Sequence, residues 1–295
     1  MEIGQVIKKI RTNKNITQQS LANAIGMTRP YIARIESGKN SISSDKLTEI
    51  LDYCNVTYNE FFYIKNDYKK SSKMNAYNEV IKLFYDKKIE EISKIKKEAE
   101  KKYKENGDIF LRHLYILCHC MENDLDVDKI NKDYIQEMAD YLLSIDDWCY
   151  HELVVLNNFL FIFPPATALL MSKNLLKYAE KYKELNSDTK VLSYLIFNLL
   201  ELSIKNNDIE SARMLLSATK AYTIKNTEFF ELTLSLFYEG MLNIVDDSIL
   251  EGIEKCNKSL DIFKTLGNEY FYTKLKEDLE NLLKKKLASN KKDNV

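Results

Sequence analysis

Arginine is scarce in this chain of 295 residues, yet three of its five arginines, Arg11, Arg29 and Arg34, fall before residue 35. The other two are Arg112 and Arg213, and elsewhere lysine carries the positive charge. A guanidinium presents a rigid planar fork of donors that suits a bidentate contact with a base edge or a phosphate, which an ammonium cannot make. Any one of the three could instead serve an internal ion pair, Arg11 with Glu36 for instance. Residues 1–50 hold eight basic side chains (Lys8, Lys9, Arg11, Lys14, Arg29, Arg34, Lys39, Lys46) against four acids (Glu2, Glu36, Asp45, Glu49), a net +4 in a chain whose total is −1. The near-neutral total therefore hides a positive N-terminal end.

A second group of reactive side chains lies further on. His113, Cys118, His119, Cys120, Cys149 and His151 include all three histidines and three of the five cysteines, the residue types that hold zinc. Cys118, His119 and Cys120 would point in different directions from one helix, unlike the i, i+4 pair that chelates, and neither CxxC nor HExxH occurs. No metal and no other cofactor is expected. Five scattered cysteines cannot build a disulfide framework, so reduced, buried thiols are expected. GxGxxG, P-loop and GxSxG patterns are absent, and no nucleophile–base pair is evident, which argues against an enzyme.

The third group is a set of apolar runs carrying carboxamides: WCYHELVVLNNFLFIF from Trp148, TKVLSYLIFNLLELSI from Thr189 and EFFELTLSLFYEGML from Glu228. This exceeds what one helix stripe buries. Asn157, Asn158 and Asn198 stand among the apolar residues, and a carboxamide, both donor and acceptor, can pair with a peptide unit without reading its side chain. The pattern suits a groove for an extended hydrophobic peptide, with Asn157, Asn158, Phe161, Tyr194, Asn198 and Phe237 as lining candidates. Packing of the same residues between neighbouring helices is the competing reading.

The elements that must position these groups are helices. Only 7 Gly and 3 Pro occur, too few for the turns of an all-β fold. The length suggests one large domain or two ordinary ones. The first residues form no signal peptide, so a cytoplasmic location is expected. Leu153–Ser172 is uncharged over a membrane-helix length, but Asn157-Asn158 and Pro164-Pro165 divide it into two buried helices. In the positive head, Val6, Ile7 and Ile10 form a first apolar face. Thr17 caps a second helix with Leu21, Ala22 and Ile25 inside, and Gly26 reverses the chain. Thr28 caps a third helix with Pro30 in its first turn, Ile32 and Ile35 inside and Gly38 at its end. Ser43 or Ser44 opens a fourth, and Tyr58 to Phe62 gives a short fifth. Two short helices around a glycine turn, with Ala22 at their crossing, describe a helix-turn-helix unit.

The stretch from Ile16 to Lys39, ITQQSLANAIGMTRPYIARIESGK, resembles the helix-turn-helix of the phage-repressor (XRE) family. The resemblance implies a five-helix, lambda-repressor-like domain whose third helix enters the major groove of double-stranded DNA. Its outward residues Arg29, Tyr31 and Arg34 then become base-contact candidates, Tyr31 through packing on a thymine methyl. Gln18 matches the position that meets a phosphate. Thr28, Lys39 and Asn40, which flank the recognition helix, are assigned to the DNA backbone as well. Arg11 and Glu36 match a pair that braces helix one against helix three. The usual glutamines at the start of the recognition helix are absent, so the family's base preferences do not carry over.

Lys65–Lys73 reads as a polar linker. Beyond it, helix starts near Asp108, Trp148, Asp188, Thr227 and Asn268 recur about every forty residues. A second helix begins midway in each interval, near Lys129, Pro164-Pro165, Asn207-Asp208 and Asp246-Asp247. Such a repeat is an α-solenoid of tetratricopeptide-like kind. An earlier pair, Ala76–Tyr85 and Lys88–Lys104, opens the array, and Glu269–Leu287 closes it. The fold expected is all-α: a helix-turn-helix domain at 1–64, a linker at 65–73, a repeat domain at 74–288 and a tail at 289–295.

An N-terminal MEIG…RPYIARIESGKNSISS domain followed by a repeat array with W148-C-Y-H-E-L…N-N resembles the Rgg (GadR/MutR) regulators. That resemblance implies a cytoplasmic homodimer joined through the repeat domain and a transcription factor governed by a short hydrophobic signalling peptide. Asparagines of the inner helices would hold the peptide backbone, Asn157 or Asn158 foremost. Dimerisation also follows from recognition itself: one such head reads few base pairs, whereas two related by a two-fold axis read a palindromic or pseudo-palindromic site. Two further readings stay open, a phage-type repressor whose repeat domain only oligomerises or binds a protein partner, and a metal- or redox-sensing regulator.

Overall fold

The computed structural model describes residues 1–69, 72–182, 189–226 and 229–292. Every long regular element among them is an α-helix, and the chain divides into two compact units, Met1–Leu114 and Tyr115–Val295.

Five helices open the first unit: α1 (Ile3–Asn13), α2 (Gln18–Ala24), α3 (Arg29–Glu36), α4 (Ser44–Tyr53) and α5 (Tyr58–Lys65). Their apolar faces close on one core that includes Val6, Ile10, Leu21, Ile32, Ile50 and Phe61. The starts are set by side-chain oxygens that satisfy free helix amides. Thr17 accepts from the Ser20 amide at 3.0 Å, and Ser43 accepts from the Lys46 amide at 3.4 Å. Gly26 and Gly38, with φ of +63° and +75°, turn the chain at the ends of α2 and α3 in the left-handed region that favours glycine. Gly4 is set by space instead: a Cβ there would lie 1.9 Å from the Ile35 carbonyl oxygen, so α1 and α3 touch backbone to backbone. Thr28 holds the N-cap position of α3, but its hydroxyl makes no capping bond, contrary to its expected role. The Thr28 carbonyl already accepts the amides of Tyr31 and Ile32.

The stretch expected as a linker holds the end of α5, a turn over 66–68 and the start of α6; residues 70 and 71 lie outside the described residues. Helices α6 (Ser72–Tyr85) and α7 (Ile89–Asn106) follow, then α8 (Ile109–Glu122), within which the two units meet in sequence.

The second unit continues with α9 (Lys132–Ser144), α10 (Tyr150–Phe159), a 3-10 turn (Leu160–Ile162), α11 (Pro165–Lys181), α12 (Thr189–Lys205), α13 (Ile209–Asn226), α14 (Phe229–Val245), α15 (Ile249–Thr265) and α16 (Glu269–Lys292). The helices α8, α10, α12, α14 and α16 begin 39–41 residues apart. In the second unit α10 packs on α12, α12 on α14 and α14 on α16, while α11 packs on both α9 and α13. This is the two-layer stack of a helical repeat array. The starts expected at Asp188 and Thr227 lie outside the described residues, and those at Asp108, Trp148 and Asn268 precede the observed helices by one or two positions. The closing helix runs to Lys292, past the expected end at Leu287 and into the expected tail, since no glycine or proline interrupts that stretch.

The uncharged run from Leu153 to Ser172 is broken into α10, the 3-10 turn and α11, as its carboxamides and double proline require. No helix among the described residues is long and apolar enough to cross a membrane. Trp148 is buried and donates its indole N–H to the Leu142 carbonyl at 3.1 Å. Helices α14 and α15 meet at Gly240 and Gly252, where a Cβ on either would come within 2.6 Å of the other's carbonyl oxygen.

Candidate functional site

In the head, the structure resolves the arginine ambiguity residue by residue. Arg11 Nε and Nη2 donate to the two Glu36 oxygens at 2.6 and 3.0 Å. Its Nη1 donates to the Ile16 carbonyl at 2.6 Å, just before α2. The bonds from Glu36 raise the Arg11 pKa against the opposing effect of burial. Arg29 and Arg34 are exposed on α3 and enter no ion pair among the described residues. Their forks are left uncommitted among the described residues, while Ile32 and Ile35 on the opposite side hold the helix to the core. Tyr31 is half-buried and packs against that core, which leaves only part of its ring for a groove contact.

The backbone-contact candidates sit at both ends of α3 and beside it. Gln18 donates its carboxamide N–H to Glu36 at 2.8 Å. Its side-chain donor is therefore partly committed, and what the start of α2 offers a phosphate is the backbone amides of Gln18 and Gln19, which the helix itself leaves open. Arg29 lines the same open recess as Thr17, Gln18 and Gln19. Thr28 is exposed with its hydroxyl uncommitted to a cap. After α3, the amides of Lys39 and Asn40 turn back to the Arg34 carbonyl at 2.9 and 3.2 Å, a closure of the helix end that leaves the Lys39 side chain exposed and Asn40 half-buried.

In the second unit, the groove candidates separate into open and closed positions. Asn157 on α10 is exposed, and no hydrogen bond engages its carboxamide among the described residues. Asn158 is half-buried and donates to the Val154 carbonyl of its own helix at 2.7 Å. Phe161 in the 3-10 turn is exposed. On the neighbouring α12, Tyr194 and Asn198 are both exposed and one turn apart, with the Tyr194 ring edge-on to Phe230 of α14 at 5.9 Å. Phe237 is 0 % exposed. It is a core residue of α14 that no ligand can touch here, and its expected place on a groove wall is corrected accordingly. The apolar richness of α14 is absorbed by packing, since α12, α13, α15 and α16 all lie against it.

Sequence reasoning missed a charged cluster on the inner helices. Glu201 of α12 accepts from Lys205, from Lys274 of α16 at 2.6 Å and from the Tyr238 hydroxyl of α14 at 3.4 Å. Burial alone would push the Glu201 carboxyl up, but the two lysines pull it below its ordinary value. Asp278 meets Lys205 at 3.3 Å, and burial, aided by the Glu201 charge, pushes its carboxyl up. The i, i+4 pairs Glu201/Lys205 and Lys274/Asp278 were visible in the sequence, but such pairs are ordinary on any solvated helix face.

Among the described residues no group of three or more His, Cys, Asp or Glu side chains is placed to hold a metal ion. Cys54, Cys118, Cys120 and Cys256 are buried free thiols, whereas Cys149 is exposed, against the expectation of general burial. Burial pushes the thiols of Cys120 and Cys256 up to about 12, which keeps them protonated and unreactive near neutrality.

Two family models match the chain. One, described as the C-terminal domain of the HTH-type transcriptional regulator Rgg, covers residues 90–277, and one described as helix-turn-helix covers residues 7–61. Among solved structures, a candidate transcriptional regulator from Listeria monocytogenes EGD-e is similar with a TM-score of 0.81 at 21% identity, over 96% of this chain and 97% of that one. The SHP pheromone receptor Rgg2 of Streptococcus dysgalactiae gives 0.78 at 21% identity, over 95% and 99%. PrgX in its complex with cCF10 gives 0.69 at 19% identity, over 95% and 99%.

Proposed function

The chain belongs to the Rgg family of helix-turn-helix transcriptional regulators, and from that premise we propose that it acts in the cytoplasm as a homodimer switched by a short hydrophobic peptide. The peptide lies along the inner helices of the repeat array. Asn157 and Asn198 hold its backbone, while Phe161 and Tyr194 flank it. The observation that carries this reading is that these four side chains are exposed on α10, the turn after it and the adjacent α12, the two carboxamides without partners among the described residues, in a region otherwise densely packed. The solved relatives support the ligand class: one is described as a pheromone receptor and another is a complex with cCF10.

Two copies place two α3 helices on a palindromic or pseudo-palindromic site. Arg29 and Arg34 read base edges, Tyr31 adds an apolar contact, and Thr28, Lys39, Asn40 and the start of α2 at Gln18 fix the register on phosphates. Arg11 and Glu36 act only by holding α3.

The test uses synthetic, fluorescein-labelled peptides translated from short reading frames beside the gene, titrated against the full chain by fluorescence polarisation. Saturable binding that weakens in Asn157→Ala and Asn198→Ala and alters retardation of the adjacent promoter fragment is expected. Saturable binding unaffected by both substitutions would remove these residues from the site, and no binding by any such peptide would remove the peptide switch.

A further inference from the structure

The two ends of α3 are held by different means. Its C-terminal end is fixed from the core: Glu36 takes the Arg11 fork and the Gln18 carboxamide, and Gly4 lets α1 touch the Ile35 carbonyl. The N-terminal end, which carries Arg29, begins without a side-chain cap, since the Thr28 hydroxyl makes no such bond. It hangs from the turn over 25–28. Within that turn Met27 donates its amide to the Ala22 carbonyl at 2.8 Å, a bond local to α2. The tie from a different helix is Lys46 of α4, whose Nζ donates to the Ile25 carbonyl at 3.0 Å. Ile25 is the buried C-cap residue of α2, and the left-handed Gly26 follows it.

By local rules Lys46 is out of place. It is the third residue of α4, after the cap at Ser43. A capping box carries Glu or Gln there, and the helix dipole disfavours a cation in that turn. At the C-terminal end of a helix a cation is favoured instead, because the last carbonyls lack partners of their own. Lys46 gains that interaction by reaching from the start of α4 to the end of α2. Glu49, one turn on, holds its ammonium at 2.6 Å, and the Lys46 side chain is only 33% exposed. A residue that breaks a local rule is expected where the tertiary structure makes use of it.

We propose that Lys46 is a positioning residue for DNA recognition. It contacts neither base nor phosphate. Its bond to Ile25 sets the turn at Gly26, and the turn sets how α3 delivers Arg29 to a base edge. Without the bond, the start of α3 pivots about its braced end at Glu36. A bidentate contact needs the planar fork in one orientation, so it weakens first. Phosphate contacts through flexible lysine stems tolerate the same movement. This inference rests on the reading of α3 above and adds the residue that aims it.

For the experiment, the full parent chain selects a duplex from a random-sequence pool, and a scrambled duplex of the same composition serves as reference. Lys46→Met keeps the apolar stem and removes the donor, whereas Lys46→Arg restores one. Affinities for both duplexes are read by fluorescence anisotropy, well below the melting temperature of each variant. Lys46→Met should weaken the selected duplex at least about fivefold, the low end for a lost base contact. The scrambled duplex and the salt slope should not change, and Lys46→Arg should recover most of the loss. In an Arg29→Ala background Lys46→Met should cost less than about twofold further, as when one residue acts through the other. Full additivity of the two overturns the proposal. So does equal weakening of both duplexes with a salt slope smaller by about one, the mark of a phosphate contact. Discrimination left intact, with or without a lower melting temperature, reduces Lys46 to a structural tie and overturns it as well. If Arg29→Ala itself leaves discrimination intact, or the pool yields no preferred duplex, the reading of α3 falls and this inference with it.

Discussion

Arg11→Ala is the substitution whose consequence the head geometry constrains most tightly. The Arg11 side chain is 10% exposed and that of Glu36 2%, and three bonds of 2.6 to 3.0 Å leave the guanidinium for Glu36 and the Ile16 carbonyl. Truncation leaves a buried carboxylate with only the Gln18 amide as a donor. Removing one partner of a buried pair costs about 3–5 kcal/mol, which is comparable with the whole stability of a domain of some sixty residues. At about 4–8 °C of melting temperature per kcal/mol for a domain of this size, the head should melt at least about 12 °C lower. Hydrogen exchange read by mass spectrometry on the full chain isolates the effect. Protection in peptides covering α1–α3 should fall by between two and four powers of ten, with little change in α12–α15. An apolar pair in place of both ions, Arg11→Met with Glu36→Leu, should recover much of the loss, because the penalty is the stranded charge rather than the missing attraction. A fall in protection below about fivefold for Arg11→Ala, or a double variant as unstable as the worse single one, would refute the brace.

Arg29→Ala and Arg34→Ala should each weaken operator binding by about 1–3 kcal/mol and relax sequence preference, as read by competition gel shifts, with melting unchanged. Lys39→Ala should instead weaken all duplexes alike and reduce the slope of log affinity against log salt by about one. Gly240→Ala should destabilise the repeat unit by more than about 1 kcal/mol, seen as a lower denaturant midpoint, because its Cβ would meet the Gly252 carbonyl oxygen at 2.6 Å and the Cys256 sulfur at 2.7 Å. The Asp278 carboxyl is raised by burial and by Glu201, so the folded chain binds that proton more tightly than the unfolded chain, and stability is lost as pH rises through the interval between the two values. Asp278→Asn should therefore stabilise the repeat unit by about 1 kcal/mol at pH 7, and the gain should vanish below about pH 4, where the carboxyl is protonated in both states. A midpoint that falls at pH 7 would contradict the assignment.

Local rules made the head and the repeat spacing legible. Thr17, Gly26, Pro30, Gly38 and Ser43 are each placed by the chemistry of a helix end, which a sequence displays within four or five residues. The forty-residue period is legible for the same reason: its breaks carry Asn207-Asp208, Asp246-Asp247 and Pro164-Pro165, and the helices begin at or just after them. The charge of the head was legible in sum but not in allocation. Composition could not say that Arg11 is consumed internally while Arg29 and Arg34 stay open, because that depends on Glu36, twenty-five residues away, reaching the same place.

The groove was the hardest part to read, and α14 shows why. Periodicity reveals which face of a helix is buried only when another face is polar. In α14 the buried set runs Glu231, Thr233, Leu234, Ser235, Phe237, Tyr238, Gly240, Met241, Leu242 and Ile244, which leaves only one strip, Leu232, Leu236, Glu239 and Asn243, half-buried. Most of the excess apolar content therefore marked a helix packed by its neighbours on all but one narrow face. Sequence could not separate Phe237, sealed in the core, from Tyr238, whose hydroxyl reaches the Glu201 cluster. The same limit applies to Asn157 and Asn158: adjacent carboxamides look alike in sequence, but a rotation of about 100° about α10 leaves one open and returns the other to its own backbone. What distinguishes a ligand-facing position in such an array is thus a polar group that packing has failed to satisfy. Asn157 and Asn198 meet that criterion at the surface, exposed with no hydrogen bond among the described residues, whereas Ser235 Oγ and Asp278 Oδ2 are unsatisfied but sealed from a ligand by burial.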